Sequence, residues 1–261
     1  MSSEKPLVYL ILGAAGSGRR EIVADLIEGG LAAGSAGQPF DLAQSRQSAL
    51  TLLPAGEQAG AADARLGSLA RWAWNDGRIE SPDLAGATHV FFFTDGRRNP
   101  VDQVEAFQAW LAASGGELAR ILCVIHCGLV TRHKELLAWY DACVHFADVV
   151  LLNRREGVPN KWMSDFQGRY AAQFLPCLFE LVKAGRVENP ALILEPQARR
   201  MSHVFDEEPN WEVTSADGEG EDEADEEEIT AQPEEDPYLQ RRAGGRRVKE
   251  IPDVADFLLG G

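Results

Sequence analysis

The sequence predicts an α/β protein: a mostly parallel sheet flanked by helices in three layers, followed by a disordered acidic C-terminal tail. Apolar runs near residues 7–12, 88–94, 120–126 and 148–152 are separated by helix-period segments, the pattern of parallel strands joined by crossover helices. The first run passes straight into a glycine-rich turn and then a helical pattern, LVYLILGAAGSGRREIVADLI. Residues 206–236 hold sixteen Asp and Glu and no Lys or Arg, too much charge and too little apolar surface to offset the entropy of ordering. At 261 residues and 45% hydrophobic the chain can bury a full core. The expected organisation is a domain over 1–205, an acidic linker over 206–236 and a basic, apolar docking segment over 237–261.

The elements follow in order. The stretch 29–66 is rich in Gly, Ala, Ser and Gln, and only Gln38–Leu42 and Ala49–Leu53 look strand-like. It reads as an edge hairpin and a mobile loop, with a helix resuming around Leu66 to Trp74. Asn99-Pro100 is a helix start, and Val101, Val104, Gln108 and Leu111 follow it at helical spacing. Leu136, Leu137, Tyr140, Cys143 and Val144 form a second stripe; both suit packing on the sheet. Trp162, Phe166, Tyr170 and Phe174 recur every four residues, a core-facing helical stripe that Pro176 should bend or split. Asn189-Pro190 introduces a last strand-like run, Ala191 to Leu194. Beyond the acidic stretch, Arg241, Arg242, Arg246, Arg247 and Lys249 precede Ile251, Val254, Phe257 and Leu258 at helix-like spacing. These bases can pair with the adjacent acids, with the body's surface or with a phosphate-bearing partner.

The formal net charge of −16 belongs to the acidic stretch; outside it, 25 acids face 25 bases. A body-wide basic surface for nucleic acid is thereby excluded. Cys123, Cys127, Cys143 and Cys177 lie in apolar segments without C-x-x-C or disulfide-like spacing, so they read as buried thiols in a reducing compartment. Cys123, His126 and Cys127 raise a metal question, but strand alternation points them to different faces, and a core strand is the simpler reading. No zinc motif is present. The short apolar run after Lys5 enters Gly-Ser-Gly-Arg-Arg and an amphipathic helix, which suits a first buried strand better than a secretory signal. No run approaches the roughly eighteen apolar residues of a membrane helix, and a cytoplasmic protein is expected.

The glycine-rich turn nearly matches the phosphate-loop pattern G-x-x-x-x-G-K-[ST]. Gly13 and Gly18 fit, with Gly16 and Ser17 between them, but Arg19 stands at the lysine position and Arg20 at the hydroxyl position. Loop amides and the helix N-terminus can hold phosphates without any particular side chain. Arg19 still carries charge, but its planar fork is not a lysine's point charge. Arg20 offers no oxygen to Mg²⁺ and would repel it, so turnover should suffer more than anion binding. A glycine-rich strand-to-helix turn with no ligand is the bland alternative. At the end of the fourth run, Asn153, Arg154 and Glu156 stand where ligands bind in parallel sheets; they approximate the N-K-x-D guanine motif, with Arg for Lys and Glu for Asp.

Together these segments resemble the CobW/UreG/HypB group of phosphate-loop GTPases, nearest to the CobW type. LILGAAGSGRREIVADLI is similar to that group's phosphate loop and first helix, HVFFFTDGRRNP to its strand ending in E-x-x-G-x-x-x-P, HFADVVLLN to its base-recognition strand, and Asn189-Pro190-Ala191 to its late N-P-x-A segment. The likeness spans roughly residues 7 to 195. It implies GTP or ATP as ligand, with Gly13, Gly16, Ser17, Gly18, Arg19 and Arg20 at the phosphates and Asn153, Arg154 and Glu156 at the base. The group's acidic residue falls at Phe93, leaving Asp95 as the nearby candidate to hold Mg²⁺ through water or, equally, as an ordinary Asp-Gly turn. The C-x-C-C metal motif has no counterpart, because residues 29–122 contain no cysteine. The expectation is a degenerate nucleotide-binding protein, a pseudo-GTPase with no catalytic residue assigned and a protein partner reached through its tail. The alternatives are a slow Mg-dependent GTPase or ATPase using Arg19 in place of lysine, and an interaction scaffold that keeps only the fold.

Overall fold

The computed structural model describes residues 5–31, 48–84, 86–206 and 235–258. Its centre is an eight-stranded sheet in the order β4-β3-β2-β5-β1-β6-β7-β8. The strands are β1 Leu7–Leu12, β2 Ala49–Pro54, β3 Ser68–Asn75, β4 Arg78–Glu80, β5 His89–Phe93, β6 Glu117–His126, β7 Val149–Asn153 and β8 Leu178–Leu181. All neighbours are parallel except β3 and β4. The helices are α1 Arg19–Gly29, α2 Pro100–Ser114, α3 Cys127–Arg132, α4 Leu136–Phe146, α5 Asn160–Ala171, α6 Pro190–Leu194 and α7 Ala255–Leu258. The expected α/β class, with its four apolar runs as strands, is therefore present.

Strand alternation divides the core into two. Val8, Leu10 and Leu12 of β1 face a layer that includes Phe107, Trp110, Trp139 and Tyr140 from α2 and α4. Tyr9 and Ile11 face the other, with Ile22, Leu26 and Ile27 of α1 and Ile193 of α6. The central strands are buried on both sides, which is why they read as unbroken apolar runs. All four cysteines are free and buried.

Four expectations need correction. The segment around Leu66 to Trp74 is a strand, β3, and not a helix; Asp76 and Gly77, with φ of 47° and 77°, make the tight hairpin turn into β4 that Asp-Gly favours. β2 is no edge hairpin, since it lies between β3 and β5 and pairs in parallel with both; Gln38–Leu42 falls outside the described residues. Residues 190–194 form α6 and not a strand, because the Asn189 side chain accepts the Leu192 N–H at 3.2 Å and Pro190 occupies the first turn. The aromatic stripe ends with α5 at Ala171, before Pro176, and Phe174 is 89% exposed at φ 55°. Proline disfavours the helical region for the residue before it, and here the helix stops short of Pro176 and is not split there.

The C-terminal residues lie against the body. Val254 is fully buried. Arg247 is held by Asp102 Oδ1 at 2.6 Å and Glu105 Oε2 at 2.7 Å on α2, and His145 on α4 meets Asp236 at 2.8 Å. Of the three destinations open to the basic residues, Arg241 and Arg247 take the body's surface. With Arg97, Asn99 and Gln103, residues 251–253 line a cleft of about 420 Å³. Residues 207–234, most of the acidic linker, fall outside the described residues.

Two histidines give the fold a pH dependence. His126 caps α3 by accepting the Leu129 N–H on Nδ1 at 3.0 Å. Burial holds both His126 and His89 below the ordinary histidine value. The unfolded chain takes up protons near pH 6.5 that the folded chain refuses until lower pH, so stability falls across that window as the pH drops. The melting temperature is expected to decline from pH 7 toward 5.5. The slope should be shallower in a His89→Gln, His126→Asn double variant, in which the introduced amide oxygen can keep the helix cap without titrating.

Candidate functional site

The glycine loop sits at the C-terminal end of β1, where a parallel sheet opens a crevice. Gly13, Gly16 and Gly18 have φ of 131°, 79° and 87°, a region that disfavours other residues. Contact adds to conformation at two of them. A Cβ on Gly13 would lie 2.4 Å from the Val124 carbonyl oxygen, and one on Gly18 would lie 2.3 Å from Asn153 Nδ2. Gly16 is open.

Of the residues singled out beyond the loop, Asn153 and Arg154 touch it. Asn153 Nδ2 donates to the Ser17 carbonyl at 2.8 Å, bracing the loop from the end of β7. Arg154, at φ 51°, stands beside Gly18, with Nη2 at 3.6 Å from Glu21 Oε1. Glu156 is exposed. Asp95 spends both carboxylate oxygens on its own turn, accepting the Arg97 N–H at 3.0 Å and Arg98 Nε at 3.1 Å. Among the described residues no group of His, Cys, Asp and Glu forms a metal cluster.

The two arginines turn away from a conventional phosphate-binding role. Arg19 is 5% exposed, donates to the Thr94 carbonyl at 2.6 Å and pairs with Glu57 Oε1 at 2.9 Å, with its guanidinium over the Phe93 ring. Arg20 pairs with Glu57 Oε2 at 2.5 Å and with Asp63 Oδ1 at 2.9 Å. Burial pulls the Arg19 guanidinium below its ordinary value, opposed first by the Glu57 carboxylate. Arg20, despite partial burial, is held above its ordinary value by Glu57 and Asp63. The Phe93 ring thus lies under the Arg19 guanidinium, and Glu57, from a different loop, supplies a charge that the sequence pattern does not point to.

Part of the loop is already satisfied from within. The Ala15 N–H donates to the Gly96 carbonyl at 3.0 Å and the Ser17 N–H to the Ala14 carbonyl at 3.2 Å. Gly96 presses so close that a Cβ would lie 2.4 Å from Ala15 N. Gly18 gives α1 no side-chain cap, and the Gly16, Gly18 and Arg19 amides find no acceptor among the described residues. The Ser17 hydroxyl is fully buried without a partner among the described residues. A phosphate fits these amides and this hydroxyl. Mg²⁺ does not fit, because Arg20 occupies the hydroxyl position and the Asp95 oxygens are engaged.

No family profile matches the sequence and no curated protein matches it. Among solved structures the chain is similar to a Zn(II)-bound triple mutant of YjiA GTPase, with 11% identity, TM-score 0.46, and 75% of this chain and 67% of that one covered. It is similar also to Zn(II)-bound YjiA GTPase from E. coli, at 9% identity, TM-score 0.40, and 76% and 67% covered. A third is the cell division protein FtsY from Thermotoga maritima, at 14% identity, TM-score 0.42, and 77% and 69% covered. In its own right the structure defines a mostly parallel α/β protein with a glycine loop between its first strand and first helix. Among the described residues no helix is long and apolar enough to cross a membrane.

Proposed function

We propose that this chain is a degenerate phosphate-loop protein that binds the phosphates of a guanine or adenine nucleotide without turning it over efficiently, and serves in the cytoplasm as a binding or regulatory module. One observation carries the reading: the loop keeps unpaired amides and an orphaned Ser17 hydroxyl, while both arginines that replace the Lys-Ser/Thr pair are committed to Glu57. Anion binding draws first on the amides and the hydroxyl and then, as Glu57 gives way, on the two arginines; phosphoryl transfer would need a metal besides. Asn153 steadies the loop, and Arg154 and the exposed Glu156 are the side chains a base would meet. The C-terminal segment is the part of the chain that would meet a protein partner, with release from α2 exposing Arg247 and freeing Arg241 from Glu105.

The scaffold reading has one observation in its favour, the Gly96 carbonyl resting on the Ala15 amide. A melting-temperature panel of GTP, GDP, ATP and ADP with and without Mg²⁺, paired with a hydrolysis assay, separates the readings. The expected result is a rise with at least one nucleotide, independent of Mg²⁺, and no turnover above background. Calorimetric silence with every nucleotide would leave the scaffold. Mg-dependent hydrolysis at ordinary GTPase rates, lost in Arg19→Ala, would make the chain an enzyme.

A further inference from the structure

We propose that Glu57 is the protein's own anion at the glycine loop, a competitor that an incoming phosphate must displace from Arg19 and Arg20, so that it sets how much charge a ligand needs to enter. This rests on the reading that phosphate binds at the loop. Glu57 is 10% exposed and divides its oxygens, Oε1 to Arg19 at 2.9 Å and Oε2 to Arg20 at 2.5 Å. The surrounding turn closes on the same cation: Asp63 holds Arg20 at 2.9 Å, and a Cβ on Gly60 would come within 2.7 Å of Arg20 Nη1. A carboxylate bridging two guanidinium groups has the charge and oxygen spacing of a phosphate doing the same.

Independently, Ser17 Oγ is fully buried without a partner among the described residues and lies 3.3 Å from where a Gly13 Cβ would be. An orphaned buried hydroxyl is destabilising. It marks a position where an acceptor oxygen is wanted and where Glu57, engaged beyond the helix start, does not reach. A ligand phosphate supplies that oxygen together with the anion, which Glu57 alone cannot do. Polyphosphate carries enough charge to replace the carboxylate; orthophosphate, with charge close to that of Glu57 and no second phosphate, does not.

The full chain is compared as wild type, Glu57→Gln and Glu57→Asp, with inorganic tripolyphosphate and orthophosphate as the probes, by melting temperature and calorimetry. E57Q is expected to melt lower, because Arg19 loses its counter-charge, and tripolyphosphate is expected to restore most of that loss. Its affinity for E57Q should exceed that for wild type by at least about tenfold, since the closed competitor no longer lowers the apparent constant. E57D, which keeps the charge on a shorter stem, falls between. Equal tripolyphosphate affinity in wild type and E57Q overturns the competitor while leaving the nucleotide reading intact; no binding to any of the three proteins overturns both. Orthophosphate binding to the wild type as tightly as tripolyphosphate overturns the charge threshold. Should E57Q not fold, E57D decides, and an affinity unchanged from wild type overturns the proposal.

Discussion

Replacing Asp148 by alanine is expected to destabilise the protein by about 3–4 kcal/mol, read as a lower urea midpoint at unchanged slope. Asp148 is fully buried just before β7. Its Oδ2 accepts the Ile121 N–H at 2.7 Å, and its Oδ1 accepts the Arg199 N–H at 2.6 Å and faces Arg200 Nη1 at 3.3 Å. One carboxylate therefore ties β6 and the segment after α6 to the start of β7. Burial holds its pKa above the usual carboxylate value despite those donors, so the ionised form is a net burden on folding. As pH falls from the raised folded value to the ordinary aspartate value of about 3.9, the folded state binds the extra proton first, and this group's contribution to stability rises. That burden does not make the residue dispensable. Alanine would remove the charge but leave one buried and one half-buried N–H without an acceptor and the 7% exposed Arg200 with Asp206 alone. Asparagine should do little better, since its amide must turn an N–H₂ toward one of the donors. A loss below about 1 kcal/mol in Asp148→Ala would mean that water or a rearranged segment 197–200 takes over those donors.

The sequence is most informative where structure is local or periodic. The central strands are legible because burial on both faces leaves nothing polar to interrupt them. β3 is obscure for the complementary reason: only Trp72 is buried along it, so its polar face hides the strand, and the better signal was the Asp76-Gly77 turn. The helical turn at 190–194 has the same Asn-Pro start as α2, but four apolar residues in a row outweighed the cap in a reading by composition. In the candidate site, the glycines announce themselves because their backbone angles demand it. Asn153 is found from its place at the end of a parallel strand. Glu57 is not legible: it reaches Arg19 across 38 residues and from a different loop, and no periodicity encodes which acid will meet which arginine. The docking of Val254 and Arg247 against the body is likewise a matter of tertiary contact; spacing supplies the short helix but not its destination.

The buried ion chain at the loop makes an asymmetric prediction. Arg19 has one carboxylate partner, whereas Glu57 has two guanidinium partners. Arg19→Met removes a charge whose burial is unfavourable, keeps much of the volume beneath Phe93, and leaves Glu57 paired with Arg20; the expected loss is about 1–2 kcal/mol. Glu57→Gln leaves Arg19, 5% exposed, with the Thr94 carbonyl and hydroxyl and the Phe93 ring but no paired carboxylate among the described residues. That is a buried cation without its counter-charge, and the expected loss is about 3–5 kcal/mol. The double variant should recover part of this, because the orphaned cation goes with its partner, giving a coupling of at least about 1.5 kcal/mol in the cycle. Urea denaturation of the four proteins supplies every term. If Arg19→Met proves the more damaging substitution, Arg19 owes its place to the Thr94 carbonyl and the Phe93 ring more than to Glu57. The carboxylate would then be a neighbour of the site and not the charge that holds it shut.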